Sequence, residues 1–271
     1  MTRRKDDYNR VAQQVRAARH LVVFTGAGVS AKSGLPTFRD TSGLWERFPP
    51  EEFACWSGLI KTALLHPARF VEFLIAVLEP IAVAAPNPAH CAIAELQHRC
   101  RTTVITQNVD GLHQEAGSQT VREVHGTFLQ VADRRGQVAR TLTRDDLRHV
   151  VEQLHRVHDG SLPLLRLRGA LKGLVNLLPP MERPRVVLFG EAMAEPDWTH
   201  AQADSNDCDL MLVVGTSRLV YPAAALPRWA KQAGAEIVVV DPEEPPAADQ
   251  WLQGRAGEVL PRLVDHLRQQ A

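Results

Sequence analysis

The chain has 271 residues, of which 45% are hydrophobic and 23% are charged, values typical of a folded globular protein. This composition excludes a disordered chain, a fibrous repeat and a coiled coil. Lys and Arg together number 31, as do Asp and Glu, so the net charge is zero and no overall field attracts the chain to nucleic acid or to an anionic membrane.

Neither a membrane span nor a secretory signal is expected. The apolar stretch 71–85 is interrupted by Glu72, Glu79 and Pro80, which argues against a span. The N-terminal residues MTRRKDDYNR have no apolar segment behind their charges. The four cysteines show no C-x-x-C spacing. We therefore expect reduced thiols and a cytoplasmic protein.

Predicted strands and helices alternate along most of the chain. Residues 8–19 have helical apolar spacing and precede a short β-rich run at 20–24. Helical patterns return over 51–79 and 90–100. Further strands are predicted at 101–106, 121–125, 185–189, 210–214 and 236–240. Continuous apolar strands alternating with helices predict a parallel sheet that helices cover on both faces.

The stretch 129–183 does not follow this alternation. Thr143 and the acidic residues after it are typical of a helix start, and apolar residues then recur at helical spacing until Gly160, a plausible stop. A leucine-rich segment follows over 162–179. We interpret the whole stretch as an insertion that leaves the sheet and returns to it.

Ligand-capable residues follow several predicted strands. In open α/β sheets the carboxyl ends of the strands face the ligand crevice. The motifs are Gly26-Ala-Gly28, Gln107-Asn-Val-Asp110, Glu123-Val-His125-Gly126, Gly215-Thr-Ser217 and Asp241-Pro-Glu243. Each motif alone also fits an ordinary turn, and a lone histidine is more often structural. Together they favour a nucleotide-binding crevice.

The first motif has the most informative surroundings. Glycines after a strand let the backbone approach a pyrophosphate, and a helix following them favours its charge. Ala31 stands where the dinucleotide fingerprint has its third glycine. The same loop contains Ser30, Phe38 and Arg39. An arginine suits phosphate oxygens and an aromatic ring can shield a reactive sugar–base bond, although a surface turn fits as well.

These residues resemble the motifs of the sirtuin family, in its bacterial type. Sirtuins are NAD-dependent protein-lysine deacylases. The resemblance extends in order from about residue 9 to residue 265, except across 129–183, and rests on residues 26–40, 106–113, 125–126, 189–191 and 215–227.

The resemblance implies an α/β fold, namely a Rossmann-like doubly wound parallel sheet with a smaller, mainly helical domain formed by two insertions. The NAD-binding domain would comprise residues 1–47, 84–128 and 184–271. The small domain would comprise residues 48–83 and 129–183.

The resemblance also implies roles for individual residues. His125 would be the general base. Gln107 and Asn108 would hold the nicotinamide ribose, with Asn108 counted as catalytic. Asp241 stands in for a family asparagine, which removes a hydrogen-bond donor. The NAD-binding set comprises Gly26, Ala27, Gly28, Ser30, Thr37, Phe38, Arg39, Gln107, Asn108, Asp110, Gly215, Thr216, Ser217, Asp241, Glu243 and Ala256.

The implied substrate is an acyl-lysine protein or peptide, held by strand addition. Neither nucleic acid nor a membrane is an expected partner. Desuccinylase-type sirtuins carry Tyr-x-x-Arg where this chain has Leu74 and Val77, so a neutral acyl group is expected. The remaining substrate-binding residues are Val187, Phe189, Gly190, Glu191, Val220 and Tyr221.

The chain departs from the family at the zinc site. Sirtuins usually carry four zinc-binding cysteines in the interval that corresponds to 127–188, which here contains no cysteine. Structural zinc normally needs four ligands, mostly thiolates. We therefore expect NAD and no zinc, with apolar packing of 144–158 and of the leucine-rich segment in place of the metal.

The activity implied is NAD-dependent protein-lysine deacylation, which yields nicotinamide, deacylated lysine and O-acyl-ADP-ribose. Two alternatives stay open. One is an NAD glycohydrolase or ADP-ribosyltransferase with the same pocket. The other is a non-catalytic NAD-binding module that uses 129–183 to dock a partner.

Overall fold

A computed structural model describes residues 2–36, 43–158, 163–175 and 181–269. The chain divides into two compact units. The first unit comprises Met1–Ser33, Ala85–Val124 and Glu195–Ala271, and the second comprises Gly34–Ala84 and His125–Ala194.

The strands of both units are numbered in chain order. They are β1 (His20–Thr25), β2 (Arg101–Thr106), β3 (Val121–Glu123), β4 (Gly126–Asp133), β5 (Val138–Thr141), β6 (Glu182–Val186), β7 (Leu210–Val214), β8 (Glu236–Asp241) and β9 (Gln250–Gln253).

The α-helices are numbered in the same way. They are α1 (Thr2–Ala17), α2 (Leu44–Arg47), α3 (Pro50–Phe53), α4 (Trp56–Leu65), α5 (Pro67–Val83), α6 (Pro88–Leu96), α7 (Leu112–Glu115), α8 (Arg144–His158), α9 (Pro163–Ala170), α10 (Asp197–Asp207), α11 (Leu226–Gln232) and α12 (Ala256–Gln269).

The first unit is built on a sheet with strand order β3-β2-β1-β7-β8-β9. All its neighbouring strands run parallel, which confirms the predicted parallel sheet. The chain runs outward from β1 to β2 and β3, then crosses to β7 on the other side of β1 and continues to β9. The strand order therefore reverses between β1 and β7, which is where a doubly wound sheet opens its ligand crevice.

The central strands are apolar throughout because both faces of the sheet are covered. Every residue of β1 and of β7 is buried. The core around them takes Val15 from α1, Leu96 from α6 and Leu263 from α12. This explains why these strands appear in the sequence as continuous apolar runs rather than as alternating ones.

Sequence patterns locate most elements of the first unit. The strands predicted at 101–106 and 210–214 match β2 and β7, while β3 ends two residues earlier than predicted. The edge strand β9 was missed because its sequence, QWLQ, is short and mixed in polarity. Helix α6 begins earlier than predicted, since Asn87 accepts from the backbone N–H of Ala89 and caps it.

The second unit contains a three-stranded antiparallel sheet in the order β5-β4-β6. The predicted strand 185–189 is wrong in both extent and partner, because β6 covers 182–186 and pairs antiparallel with β4. The small domain is therefore not only helical. Its helices enclose a separate aromatic cluster of Phe48, Phe53 and Phe73, with ring centroids 4.6–5.4 Å apart.

Helix α8 confirms the predicted amphipathic helix within the insertion. The backbone N–H of Asp146 donates to Thr143 Oγ1 at 3.2 Å, and the carboxylate of Asp146 accepts from the backbone N–H of Thr143 at 2.8 Å. This reciprocal cap fixes the helix start. Leu147 and Leu154 lie on the buried face of α8, which packs against α5. The predicted stop at Gly160 lies outside the described residues.

The borders of the two units differ from the predicted domain borders. β4 starts at Gly126 and pairs with β6, so the chain enters the second unit directly after Val124. Residues 34–47 and 184–194 also belong to the second unit. Among the described residues, no helix combines the length and the apolar character that a bilayer span requires.

Candidate functional site

A glycine cradle lies where β1 and β7 end side by side. The backbone N–H of Gly26 donates to Val214 O at 3.2 Å, and that of Gly28 donates to Gly215 O at 2.9 Å. A Cβ on Gly28 would lie 2.8 Å from Gly215 Cα, and one on Gly26 would lie 2.7 Å from Thr216 Cβ. Only glycine allows the two turns to approach this closely.

The segment after the cradle is not the α-helix that the fingerprint predicts. It forms two short 3-10 turns, Ala27–Val29 and Ala31–Ser33, and the chain then reaches Gly34 with φ +83°. Thr37, Phe38 and Arg39, which were predicted to line the NAD pocket, lie outside the described residues.

Three predicted site residues form one buried hydrogen-bond network. The Ser30 hydroxyl donates to Asp110 Oδ2 at 2.8 Å and accepts from Asn108 Nδ2 at 3.0 Å. Asn108 Nδ2 also lies 3.2 Å from Gly26 O. The end of β2 is thereby fastened to the turn after β1, as expected for polar residues at neighbouring carboxyl ends of a parallel sheet.

A histidine absent from the predicted site completes this network. The backbone N–H of Asn87 donates to His90 Nδ1 at 3.2 Å, so the neutral imidazole carries its proton on Nε2. Nε2 then donates to the Ser30 hydroxyl at 3.3 Å. Burial lowers the pKa of His90, although the nearby Asp110 opposes the shift. The sequence signal for this residue is its capping position three residues after Asn87.

The fully buried His113 is the second histidine of this region. Its Nε2 lies 3.0 Å from Thr25 Oγ1, and its ring stacks edge-on against His90 with centroids 4.9 Å apart. Among the described residues Nδ1 has no hydrogen-bond partner. Burial, reinforced by His90, lowers the pKa of His113 to about 3. Both rings are therefore neutral at physiological pH.

The neutral state of His113 makes the free energy of unfolding depend on pH. The unfolded chain binds a proton at His113 below about pH 6.5, whereas the folded chain resists protonation down to pH about 3. The stability present above pH 6.5 is thus lost toward pH 3, by up to about 1.4 kcal/mol per pH unit. We expect urea unfolding of His113→Gln between pH 7 and about pH 5 to show a shallower loss than wild type. His149→Gln, at an exposed position on α8, is the control, and equal slopes in all three proteins would contradict the prediction.

The other predicted nucleotide contacts also lie at strand ends of the first unit. Gln107 Nε2 donates to Thr216 Oγ1 at 2.8 Å, which links the end of β2 to the turn after β7. Asp241 ends β8, and one of its carboxylate oxygens accepts from Glu243 N–H at 3.0 Å. Of the remaining predicted residues, Ala27 is half-buried and Ser217 is exposed, while Ala256 is buried at the start of α12 rather than at a strand end.

The predicted general base lies in the second unit. His125 is half-buried and directly precedes β4, and its carbonyl accepts from Val187 N–H at 2.9 Å. The next residue, Gly126, has φ +72°, and a Cβ there would lie 1.8 Å from Arg185 O. A glycine is therefore required beside His125, because β6 passes too close for any side chain.

The segments predicted to hold a peptide are turns rather than strands. Residues 187–191 follow β6 without continuing it, and Gly190 turns the chain with φ +89°. In the first unit, Val220 and Tyr221 also lie outside any strand, and Tyr221 is exposed. A peptide bound by strand addition would therefore have to form strand pairing with segments that are not strands in this structure.

The predicted acyl-contacting residues lie on α5 in the second unit. Leu74 and Val77 are half-buried and pack against the aromatic cluster. Two guanidinium groups lie over rings of that cluster, and each is paired, Arg47 with Glu72 and Arg69 with Glu52, at 3.9 and 3.6 Å. The neighbours of Leu74 and Val77 in this cluster are thus apolar side chains.

The cradle fits a dinucleotide. Glycine is required at both positions by the packing of this turn against Gly215 and Thr216, and the packing brings the ends of β1 and β7 together where such sheets bind dinucleotides. The buried amide of Asn108 and carboxylate of Asp110 can serve ribose hydroxyls and an amide. Among the described residues, no group of three or more His, Cys, Asp or Glu side chains is arranged to hold a metal ion.

The chain is similar in sequence and in structure to known proteins of one family. The model of the Sir2 family matches residues 26–222. The chain is 43% identical to NAD-dependent protein deacylase 2 of Pyrobaculum aerophilum over 262 residues, covering 95% of each chain. The structure of a Sir2 homologue in complex with NAD has 33% identity and a TM-score of 0.75, covering 96% of this chain and 94% of the other. The structure of Sir2Af2 bound to a myristoylated histone peptide has 33% identity and a TM-score of 0.71, covering 98% of both.

Proposed function

Because the chain belongs to the Sir2 family, we propose that it is an NAD-dependent protein deacylase. Its substrates would be acyl-lysine proteins or peptides in the cytoplasm. The single observation that best supports this role is the buried network of Ser30, Asn108 and Asp110 beside the glycine cradle. A tight turn alone would not need three polar side chains buried against one another.

NAD supplies the ribose that receives the acyl group when nicotinamide departs. The cradle glycines would hold the pyrophosphate, while Asn108 and Gln107 would hold the nicotinamide ribose and Asp110 the carboxamide. His125 would accept a proton from a ribose hydroxyl. The chain thus contributes mainly by positioning its substrates and by excluding water.

Nicotinamide release, measured with and without an acetyl-lysine peptide, tests the proposal. A deacylase releases nicotinamide only with the peptide and yields deacylated lysine and O-acyl-ADP-ribose in equal amounts. Release without peptide would instead identify an NAD glycohydrolase or an ADP-ribosyltransferase. No release under either condition would favour a non-catalytic NAD-binding module.

The proposed enzyme works without zinc. The apolar face of α8 packs on α5 and buries leucines such as Leu147 and Leu154, each worth about 1.5–3 kcal/mol. Leu167 and Leu174 add buried surface in the segment that follows. A few such contacts can replace the stabilisation that a structural zinc ion would provide. We expect metal analysis of the purified protein to find fewer than about one zinc per ten chains.

Chelator treatment should accordingly leave the melting temperature and the deacylation rate unchanged. A zinc-containing family member treated in parallel is the positive control. Stoichiometric zinc whose removal unfolds this chain would contradict the prediction and would point to a ligand set that includes His149, His155, His158 or a distant cysteine.

The acyl group accepted should be neutral. A succinyl or malonyl carboxylate placed against Leu74 and Val77 would lose its water without gaining a partner, at a cost of several kcal/mol. We expect acetyl-, butyryl- and longer acyl-lysine peptides to be turned over and the succinyl peptide to be rejected by about 100-fold or more. Val77→Arg should raise the relative rate with the succinyl peptide. Preferential turnover of succinyl-lysine by the wild type would contradict this.

A further inference from the structure

The carboxylate of Glu191 joins three separate parts of the second unit. Its Oε1 accepts from the indole N–H of Trp56 at 2.9 Å and from Arg183 Nη2 at 2.6 Å. Its Oε2 accepts from the backbone N–H of Leu188 at 2.9 Å. We call Trp56, Arg183 and Glu191 the Glu191 clasp.

Arg183 strengthens the clasp in two further ways. Its Nη1 donates to Val186 O at 2.9 Å, which ties it to the end of β6. Its guanidinium also lies over the indole ring of Trp56, 4.9 Å from the centroid. Trp56 is the first residue of α4, so the clasp connects the end of β6 to the start of that helix.

The backbone of residues 187–191 is held just as closely. The N–H of Val187 donates to His125 O at 2.9 Å, and that of Phe189 donates to Ala54 O at 2.7 Å. The N–H of Glu191 returns to Leu188 O at 3.1 Å. Leu188 N–H donates to Glu191, so most backbone N–H groups of the segment already have acceptors within the chain. A peptide that pairs with this segment would therefore bind mainly to its carbonyl groups and to Gly190 N–H, whose positions are set by these contacts.

We propose that Trp56 and Arg183 are positioning residues that act through Glu191 to hold residues 187–191 in the conformation that binds the acyl-lysine peptide. This inference rests on the proposed deacylase function. The clasp lies near the surface, with 22% of the Glu191 side chain and 38% of the Arg183 side chain exposed. Its loss should therefore cost peptide affinity much more than stability.

The sharpest test is Trp56→Phe, which removes the indole N–H but keeps a ring beneath Arg183. We expect the KM for an acetyl-lysine peptide to rise about 5- to 10-fold, with the KM for NAD and kcat within about twofold of wild type. Trp198→Phe is the matched control, because Trp198 packs on Trp229 in the first unit, with centroids 6.0 Å apart. It should leave all three parameters unchanged.

A second variant and a double mutant separate positioning from a merely structural effect. Arg183→Lys keeps the charge but loses the planar fork, and should also raise the peptide KM. Trp56→Phe combined with Glu191→Gln should raise it no further than Glu191→Gln alone, since both act through one carboxylate. Additive increases in the peptide KM would show that Trp56 does not act through Glu191 and would overturn the inference.

A direct measurement of peptide binding tests this inference separately from the proposed function. Fluorescence anisotropy of a labelled acetyl-lysine peptide, with ADP-ribose present, reports affinity without turnover. We expect weaker binding by Trp56→Phe and Arg183→Lys than by wild type and Trp198→Phe. Wild-type affinity in both clasp variants would overturn the inference, whereas a wild-type protein that binds peptide without deacylating it would count against the proposed function alone.

Discussion

Replacing His125 by alanine is expected to lower the rate of peptide deacylation by about 10²–10⁴-fold, the usual cost of removing a general base. His125 is half-buried, and the structure ties it to its neighbours through its backbone carbonyl, which accepts from Val187 N–H. Because that contact survives the substitution, the loss should appear in catalysis rather than in folding. The measurement is the deacylation rate at saturating NAD and acetyl-lysine peptide.

Two comparisons make this result interpretable. The melting temperature and the ADP-ribose affinity of His125→Ala should match those of wild type. Asn108→Ala should be comparably damaging to deacylation, but it should also weaken nucleotide binding, because Asn108 is part of the buried network with Ser30. Near wild-type turnover by a folded His125→Ala protein would show that another group removes the proton.

Gly215→Ala is expected to abolish the cradle. Gly215 has φ +58°, and a Cβ there would lie 2.6 Å from Val29 N and 2.7 Å from Gly28 C. The left-handed conformation costs alanine about 1–2 kcal/mol and the overpacking about 1–3 kcal/mol. We therefore expect the free energy of unfolding to fall by about 2–5 kcal/mol, with loss of ADP-ribose binding in the fraction that folds.

Gly136→Ala separates the two costs. Gly136 also has a positive φ, +77°, but nothing lies within 4 Å of the Cβ that alanine would place there. Chemical denaturation should show only the conformational cost, about 1–2 kcal/mol, and ADP-ribose affinity should not change. Equal losses of stability in the two variants would mean that the contact with Gly28 is not essential to the cradle.

The sequence was most informative where burial dictates residue type. β1, β2 and β7 are buried at nearly every position, and their apolar runs made both the strands and the parallel sheet predictable. The helix α8 was predictable because a capping box precedes a regular apolar face. By contrast, β5 is mostly exposed, so no apolar period marked it.

The candidate site was predictable only in part, for a physical reason. Gly26, Asn108 and Asp110 follow the ends of β1 and β2 within a few residues, where position along the chain indicates position in the sheet. His90 joins them through a helix cap, and the Glu191 clasp joins residues that are far apart in sequence. Such contacts depend on how helices pack, which local patterns do not encode. The strand predicted at 185–189 failed because side-chain and backbone contacts turn residues 187–191 away from β6.

The crossover from β3 to β7 has a consequence for how the chain folds. β1 pairs on one side with β7, and Leu21 opposes Leu210 about 190 residues later in the chain. The loop closure that brings these strands together is entropically costly, and such long-range pairing slows folding. During synthesis, the edge of β1 that pairs with β7 therefore stays unpaired until β7 has left the ribosome. We expect nascent chains stalled before β7 to be prone to aggregation and to be protected by chaperones, whereas chains stalled beyond α12 should acquire protease resistance.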